Sequence, residues 1–496
     1  MAKLSSLDSS FLRLETRSAH MHVGWLSHLD LPDGADCLDV ARLRSSIEAR
    51  LHRAPRFRQR VVEPPLGLGE PEWVDDPGFR IDRHIQVAGA TPIGRHALRS
   101  IADDFLSFPL PRDRPLWSLL IVPRVGPDGA AILGKVHHAM VDGIAAVELG
   151  MLLFDLEPDP APDVAPPWAP EPPQTPAARA FGALAHDAAQ RARAAGSIVR
   201  MGSSPRSGLK AADAGRKAAV SLAGDALRPA AGSFLNPDAI TPSRTLVTQT
   251  MPMDQLEAIK HARGVKLNDV VLTLAAGALR QLAHVRGEEP SDVRVMVPVS
   301  TRGEDERDAG GNRITFCFLK LPLSEPAPLE RLRRLRADTL ALKRSGRIAG
   351  TELLLRSLEQ LPGPLKTRAA KLAASPRLFN LTVSNVPGPR VALYAAGAQV
   401  TSVFPVIPLS DGHALSLGVL SYHGAMHFAA YADPVTVPEA RELPTLLSMA
   451  LVELLEACDG GTRRGGRRSR ANRATLSAGG AARFDQGAVQ AGAGDA

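Results

Sequence analysis

Apolar side chains recur along this chain at two periods, and the places where one period gives way to the other mark its elements. Alternating or continuously apolar runs of strand length occupy 24–29, 80–87, 116–125, 131–137, 245–251, 293–299, 314–323, 381–384, 414–422 and 426–433. Helical spacing governs 39–53, where Val40, Leu43, Ile47 and Leu51 share one face, and also 95–107, 253–263, 270–282, 329–345, 351–361 and 437–457. Gly126-Pro127-Asp128-Gly129 separates two strand-like runs and predicts a hairpin, and His423-Gly424-Ala425 does the same for the runs at 414–422 and 426–433. Strands and helices interleave in both halves of the chain, so the pattern predicts an α/β (α+β) protein with mixed sheets.

The clearest change of period lies within 131–155. An apolar strand runs into His137 and His138, after which Val147, Met151 and Phe154 return to spacings of three or four. Both histidines therefore sit at a strand-to-helix junction, where a side chain can face a cleft while its strand stays packed. Asp142 suits the N-cap of the following helix, and Gly143 tolerates the backbone of the turn.

Two stretches break the pattern. Nine prolines between 158 and 176 sustain neither ladder nor helix and predict an extended connector. Residues 177–228 are rich in Ala and Arg and predict one or two surface helices, either simply solvated or drawn to anionic lipid. The chain thus divides into 1–156, a connector region 157–242, a second unit 243–458 and a tail 459–496. The tail is Gly, Ala and Arg with one aromatic, Phe484, too little apolar surface to fold alone. Without interleaved aromatics for base stacking, nucleic acid is not an expected partner.

Composition narrows the class. The 496 residues, 44% apolar and 22% charged, describe a globular protein with room for two substantial cores. Cys37, Cys317 and Cys458 are scattered and odd in number, which supports neither a disulfide framework nor a metal site and fits a reducing cytoplasm. No basic-then-apolar leader appears, and no run reaches the ~18 apolar residues of a membrane span, so a peripheral protein is expected. The net charge of +7 is unevenly placed, which favours attraction to anionic lipid surfaces.

The candidate chemistry is general-base catalysis, because a neutral imidazole offers one lone pair and one N–H. A His-x-x-x-Asp spacing alone is satisfied by a buried histidine beside a helix cap. The seven-residue His137-His138-x-x-x-Asp142-Gly143 is more specific, and it resembles the active-site motif of the CoA-dependent acyltransferase superfamily, in particular the bacterial wax ester synthase/diacylglycerol acyltransferases. That family's other marks follow in order: Leu4-Ser-Ser-Leu-Asp8-x-x-Phe11-x-x-Leu14-Glu15-Thr16, Met21-His22-Val23-Gly24, Pro115-Leu116-Trp117, Asn268-Asp269, Pro298-Val-Ser-x-Arg302 and Ser384-Asn385-Val386-Pro387-Gly388-Pro389.

The resemblance implies two chloramphenicol-acetyltransferase-like domains with a tunnel between them, reached by acyl-CoA from one side and the acyl acceptor from the other. It implies His138 as general base, His137 in support and Asp142 as an orienting group, with Arg302 a candidate partner for Asp142. Gly143, Ser384 or Asn385 would supply oxyanion donors. Pro115, Leu116 and Trp117 would border the substrate channel, although a proline opening a strand and a tryptophan packed beneath it explain that trio structurally. Asn268 and Asp269 likewise suit a helix start. Acyl-CoA is a substrate in this reading, with no metal or cofactor expected. The acceptor is diacylglycerol or a long-chain alcohol, met at the inner face of the membrane or on lipid inclusions. A condensation-type domain and a non-catalytic lipid-surface protein are the competing readings.

Overall fold

A computed structural model describes residues 2–63, 70–89, 92–140, 150, 152–172, 175, 177, 229–300, 314–344 and 363–460. The expected helix at 351–361, the helices within 177–228, the loop 302–313 and nearly all of the tail lie outside the described residues.

Elements are numbered in chain order. The first six-stranded sheet runs β12 (Tyr394–Ala395), β13 (Ala398–Val406), β2 (His22–Asp30), β7 (Gly129–His137), β6 (Trp117–Val125), β5 (Ile85–Val87). The second runs β10 (Ile314–Leu321), β9 (Val293–Ser300), β11 (Leu381–Pro387), β14 (Leu415–Tyr422), β15 (Ala425–Ala432), β8 (Thr245–Pro252). Both are mixed: β5 pairs parallel to β6, and β11 parallel to β9 and β14. A three-stranded sheet of β1 (Ala2–Lys3), β4 (Glu72–Asp75) and β3 (Gln59–Val62) lies beside the first. The helices are α1 (Ser6–Leu14), α2 (Val40–Arg50), α3 (Arg95–Ser107), α4 (Met253–Arg263), α5 (Leu267–Val285), α6 (Pro328–Arg344), α7 (Gly363–Ala373) and α8 (Leu443–Gly460).

The predicted hairpins form where their turns require. Gly126 has a φ of 65° at the β6–β7 turn. Between β14 and β15 the loop tightens to two residues, His423 and Gly424, both at positive φ, the backbone that matches the twist of paired strands. The mainly apolar α5 is buried all round from 269 to 279 and packs against α6 and α8, as a helix apolar on every side must. Its start is fixed by Asp269, whose carboxylate accepts the Lys266 backbone N–H at 3.1 Å.

The division of the chain at 243 is crossed. β13, from the second unit, lies antiparallel against β2 of the first, with Trp25 opposite Pro405. Within the second unit Tyr422 ties β14 to β13, donating its hydroxyl to Val400 O at 3.0 Å and accepting the Leu393 N–H at 2.8 Å. The strands β13 and β14 approach so closely that a side chain at Gly418 would run into the Pro405 carbonyl. On the far side Asp103 of α3 accepts from Leu246 N at 2.8 Å and from the Thr245 hydroxyl at 2.9 Å in β8. One core cluster accordingly draws Leu26, Phe105 and Leu133 together with Val247, Leu272 and Leu417.

The described part of the proline-rich connector is extended and strapped to the first unit. Arg50 pairs with Asp155 and Asp163 at 2.5 Å each, Arg42 pairs with Asp159 at 2.7 Å, and Arg53 also reaches Asp163. Hydrogen bonding to Arg50 holds the Asp163 carboxyl below the usual range. Trp168 then lies under the Arg58 guanidinium, 4.8 Å from ring centre to Cζ. Arginine forks at fixed positions along α2 substitute here for the backbone bonds that prolines cannot make.

Candidate active site

The site begins with an apolar strand. Residues 130–137 of β7 are all buried, and His137, its last residue, stands opposite His22 of β2. Past it the chain turns at once, with Met140 N donating to His137 O at 2.8 Å. The His137 side chain supports the same turn, since its Nδ1 accepts the Ala139 N–H at 3.0 Å. That bond leaves the ring proton on Nε2, which faces Glu15 Oε2 at 3.6 Å, and Glu15 is in turn paired with Arg112.

His138 stands on this turn. Its backbone N–H donates to Met21 O at 2.8 Å, and Met21 adopts a left-handed backbone, φ 50°, to present that carbonyl. A methionine at positive φ is strained, and such strain persists where surrounding structure imposes it. The His138 ring lies flat against Phe11 of α1, with centroids 3.7 Å apart and planes 14° from parallel. Burial pushes its pKa down to about 4, so the ring is unprotonated at neutral pH. Its Nδ1 is buried without a hydrogen-bond partner among the described residues.

A cationic backing lies behind the turn. Lys135, 4% exposed, donates to Phe105 O at 2.5 Å and Phe108 O at 2.7 Å, and burial lowers its ammonium to about 8. His22 accepts from Leu110 N at 3.4 Å, while His20 donates Nε2–H to Arg17 O at 2.9 Å. Burial is also the main reason that both rings are held below the usual histidine range. These groups rigidify the first unit around His137, and Arg112 keeps positive charge near it.

The structure brings the predicted residues together in two groups. Phe11, Glu15, Met21, His22, His137 and His138 meet at the end of β7. In the second unit Asn385 of β11 donates to Asn268 Oδ1 at 3.4 Å, beside buried Ser384. Asp269 is occupied by its helix start and by the Thr339 hydroxyl at 2.9 Å. Pro115, Leu116 and Trp117 depart from the expectation of a channel wall. Trp117 is 3% exposed, stacks on His84 at 4.4 Å and donates its indole N–H to Phe57 O at 2.9 Å, while Leu116 is fully buried. Their side chains serve the core. Asp142, Gly143 and Arg302 lie outside the described residues. Phe11 is the residue whose place at the site was missed: it belongs to the quoted N-terminal motif, but nothing in a linear sequence shows that α1 folds back over β7.

The family described as "Wax ester synthase/diacylglycerol acyltransferase catalytic domain" matches residues 4–271, and "WS/DGAT C-terminal domain" matches 310–455. A putative diacylglycerol O-acyltransferase of Mycobacterium tuberculosis is 31% identical over 485 residues, covering 92% of this chain and 91% of its own. A probable diacylglycerol O-acyltransferase of the same organism is 30% identical, with 92% and 96% covered. Among solved structures, the wax ester synthase/diacylglycerol acyltransferase of Marinobacter aquaeolei superposes with a TM-score of 0.64 at 25% identity, covering 92% of this chain and all of that one. The first condensation domain of the calcium-dependent antibiotic synthetase shares the fold, with a TM-score of 0.56 at 18% identity over 92% of this chain and 96% of its own.

Proposed function

The chain belongs to the wax ester synthase/diacylglycerol acyltransferase family and is an acyltransferase, and we propose that it moves a fatty acyl group from acyl-CoA to the hydroxyl of diacylglycerol or a long-chain alcohol with His138 as general base. The observation that carries this reading is the His138 ring: partly buried, unprotonated at neutral pH, and fixed in plane by Phe11 on a turn that His137 and Met21 hold.

In the reaction, His138 takes the proton of the alcohol as its oxygen attacks the thioester carbon. The tetrahedral intermediate collapses, the carbon–sulfur bond breaks, and the imidazolium returns the proton to the departing CoA thiolate. Atoms balance with no acyl-enzyme, giving triacylglycerol or wax ester and free CoA. The oxyanion calls for donors at the thioester carbon, for which Gly143, Ser384 and Asn385 are our candidates. Asp142, paired with Arg302, would hold the loop after His138. Acyl-CoA enters as substrate, and no step passes through a metal or cofactor.

Both acceptors carry the same nucleophile on a greasy body, so chain-length discrimination should be broad at about 0.8 kcal/mol per methylene. Neither is freely soluble, and among the described residues no helix is long and apolar enough to cross a membrane. The enzyme would therefore work peripherally, on the cytoplasmic face of a membrane or on lipid inclusions. The test is incubation of wild type and His138→Ala with labelled palmitoyl-CoA and either hexadecanol or diolein. Wild type should release CoA and form the matching neutral lipid. A folded His138→Ala of undiminished rate would remove the base. A condensation-type amide synthesis, sharing the fold alone, would give product from an amine and none from either alcohol.

A further inference from the structure

We propose that the outer face of α7 docks the protein on an anionic lipid surface. This rests on the acyl acceptor being a lipid alcohol, and it names where that lipid is met.

The inner side of α7 is already committed. It packs against α1, and Lys366 Nζ lies 2.9 Å from Glu70 Oε1 while Arg13 of α1 takes the other carboxylate oxygen at 2.6 Å. Hydrogen bonding from Lys366 opposes the desolvation of this carboxyl and, with Arg13, keeps it below its usual range. One acidic side chain thus pins two helices together.

Among the described residues the outer side has no counterpart. Leu365 and Leu372 are 46% and 61% exposed, and Arg368 and Lys371 are exposed between them. Positions 365, 368 and 372 fall on one helical face, with 371 beside it. Neither Arg368 nor Lys371 forms an ion pair among the described residues. Large aliphatic side chains flanked by exposed cations suit a phospholipid interface, where leucines enter the acyl boundary and guanidinium and ammonium groups meet phosphates. The placement also fits the chemistry. α7 packs on α1, which carries Phe11 on the His138 ring, so a lipid surface met by the outer face of α7 lies two helices from the base.

The experiment is flotation of the full-length protein with vesicles of phosphatidylcholine alone or mixed with phosphatidylglycerol. Two exposed pairs are compared with wild type, Leu365→Ser with Leu372→Ser and Arg368→Glu with Lys371→Glu, both leaving the Lys366–Glu70 contact intact. Wild type should float with the phosphatidylglycerol vesicles. The charge-reversed pair should partition at least about thirtyfold less, a factor of about five for each attraction lost at an anionic surface, and the leucine pair roughly tenfold less. Flotation of both pairs at the wild-type level would overturn the proposal, as would a wild type that ignores both vesicles. Transfer to a short water-soluble alcohol separates this from the catalytic reading. Wild type that floats but acylates no alcohol retains the docking face and loses the enzyme, whereas wild type that acylates but never floats loses only the docking face.

Discussion

Each six-stranded sheet contains a central hairpin, and the second strand of each hairpin hands over to an ionisable residue, treated in opposite ways. β15 is followed by Asp433, fully buried, which accepts from the Thr241 N–H and hydroxyl at 2.8 and 2.7 Å, from Val435 N at 3.1 Å and from the Thr436 hydroxyl at 3.0 Å. Burial pushes its carboxyl up, but these donors outweigh it and hold the group below the usual range. β7 is followed by His138, whose Nδ1 finds no partner among the described residues and whose ring is pressed against an aromatic face instead. Buried polar groups are normally satisfied, because an unmade hydrogen bond costs more than a made one gains. Asp433 is thus saturated by its neighbours, as an architectural group is, whereas the ring assigned here as base keeps Nδ1 open.

The comparison can be broken most sharply at His138. Replacement by alanine should lower acyl transfer by about 10²–10⁴-fold, while thermal unfolding stays within roughly a degree of wild type. A large fall in Tm would show that the ring is architectural after all. Asp433→Ala should do the reverse. It strands buried donors and should cost on the order of 3 kcal/mol, seen as a Tm a few degrees lower, with kcat of the folded enzyme close to wild type.

Acid offers a graded version of the same contrast. Burial pushes His28, His138, His413 and His427 down to about 4 and His137 to about 3, against 6.5 in an unfolded chain. Between those values the unfolded chain binds protons that the native protein refuses. Stability is thus fully present above about pH 6.5 and is lost as pH falls toward 4. The acid limb of kcat/KM should likewise lie near pH 4, and a limb near 6.5 would mean that the free enzyme's His138 is solvated. The smallest effect concerns the stacking ring. Phe11→Leu should reduce kcat roughly tenfold by loosening the imidazole plane, leaving KM for acyl-CoA nearly unchanged.

Much of this architecture was legible locally. The β6–β7 hairpin and α4 came from period and turn residues alone, and the middle of α5, expected at 270–282 and found at Leu267–Val285, from its mainly apolar run, because in each the deciding interactions lie within a few residues. The failures share a cause. Trp117 reads as core more readily than as channel wall, but the sequence does not show the distant Phe57 carbonyl that receives its N–H. The stacking of Phe11 on His138 and the pairing of β13 with β2 join residues far apart in the chain, and no local pattern encodes which strand fills a given edge. β13 itself is not read as a strand from the sequence, because buried Ser402 and a bulge between Val400 and Ser402 interrupt its alternation.

The union of β13 with β2 also sets a timetable for synthesis. Gln399, the first residue to close that edge, leaves the ribosome more than 360 residues after Asp30. At ~5–20 residues per second, β2 waits roughly 20–70 s with a row of backbone groups open to any passing strand. A nascent chain of this protein should therefore be a conspicuous client of holding chaperones, and premature termination anywhere before 398 should yield aggregate and not a working half.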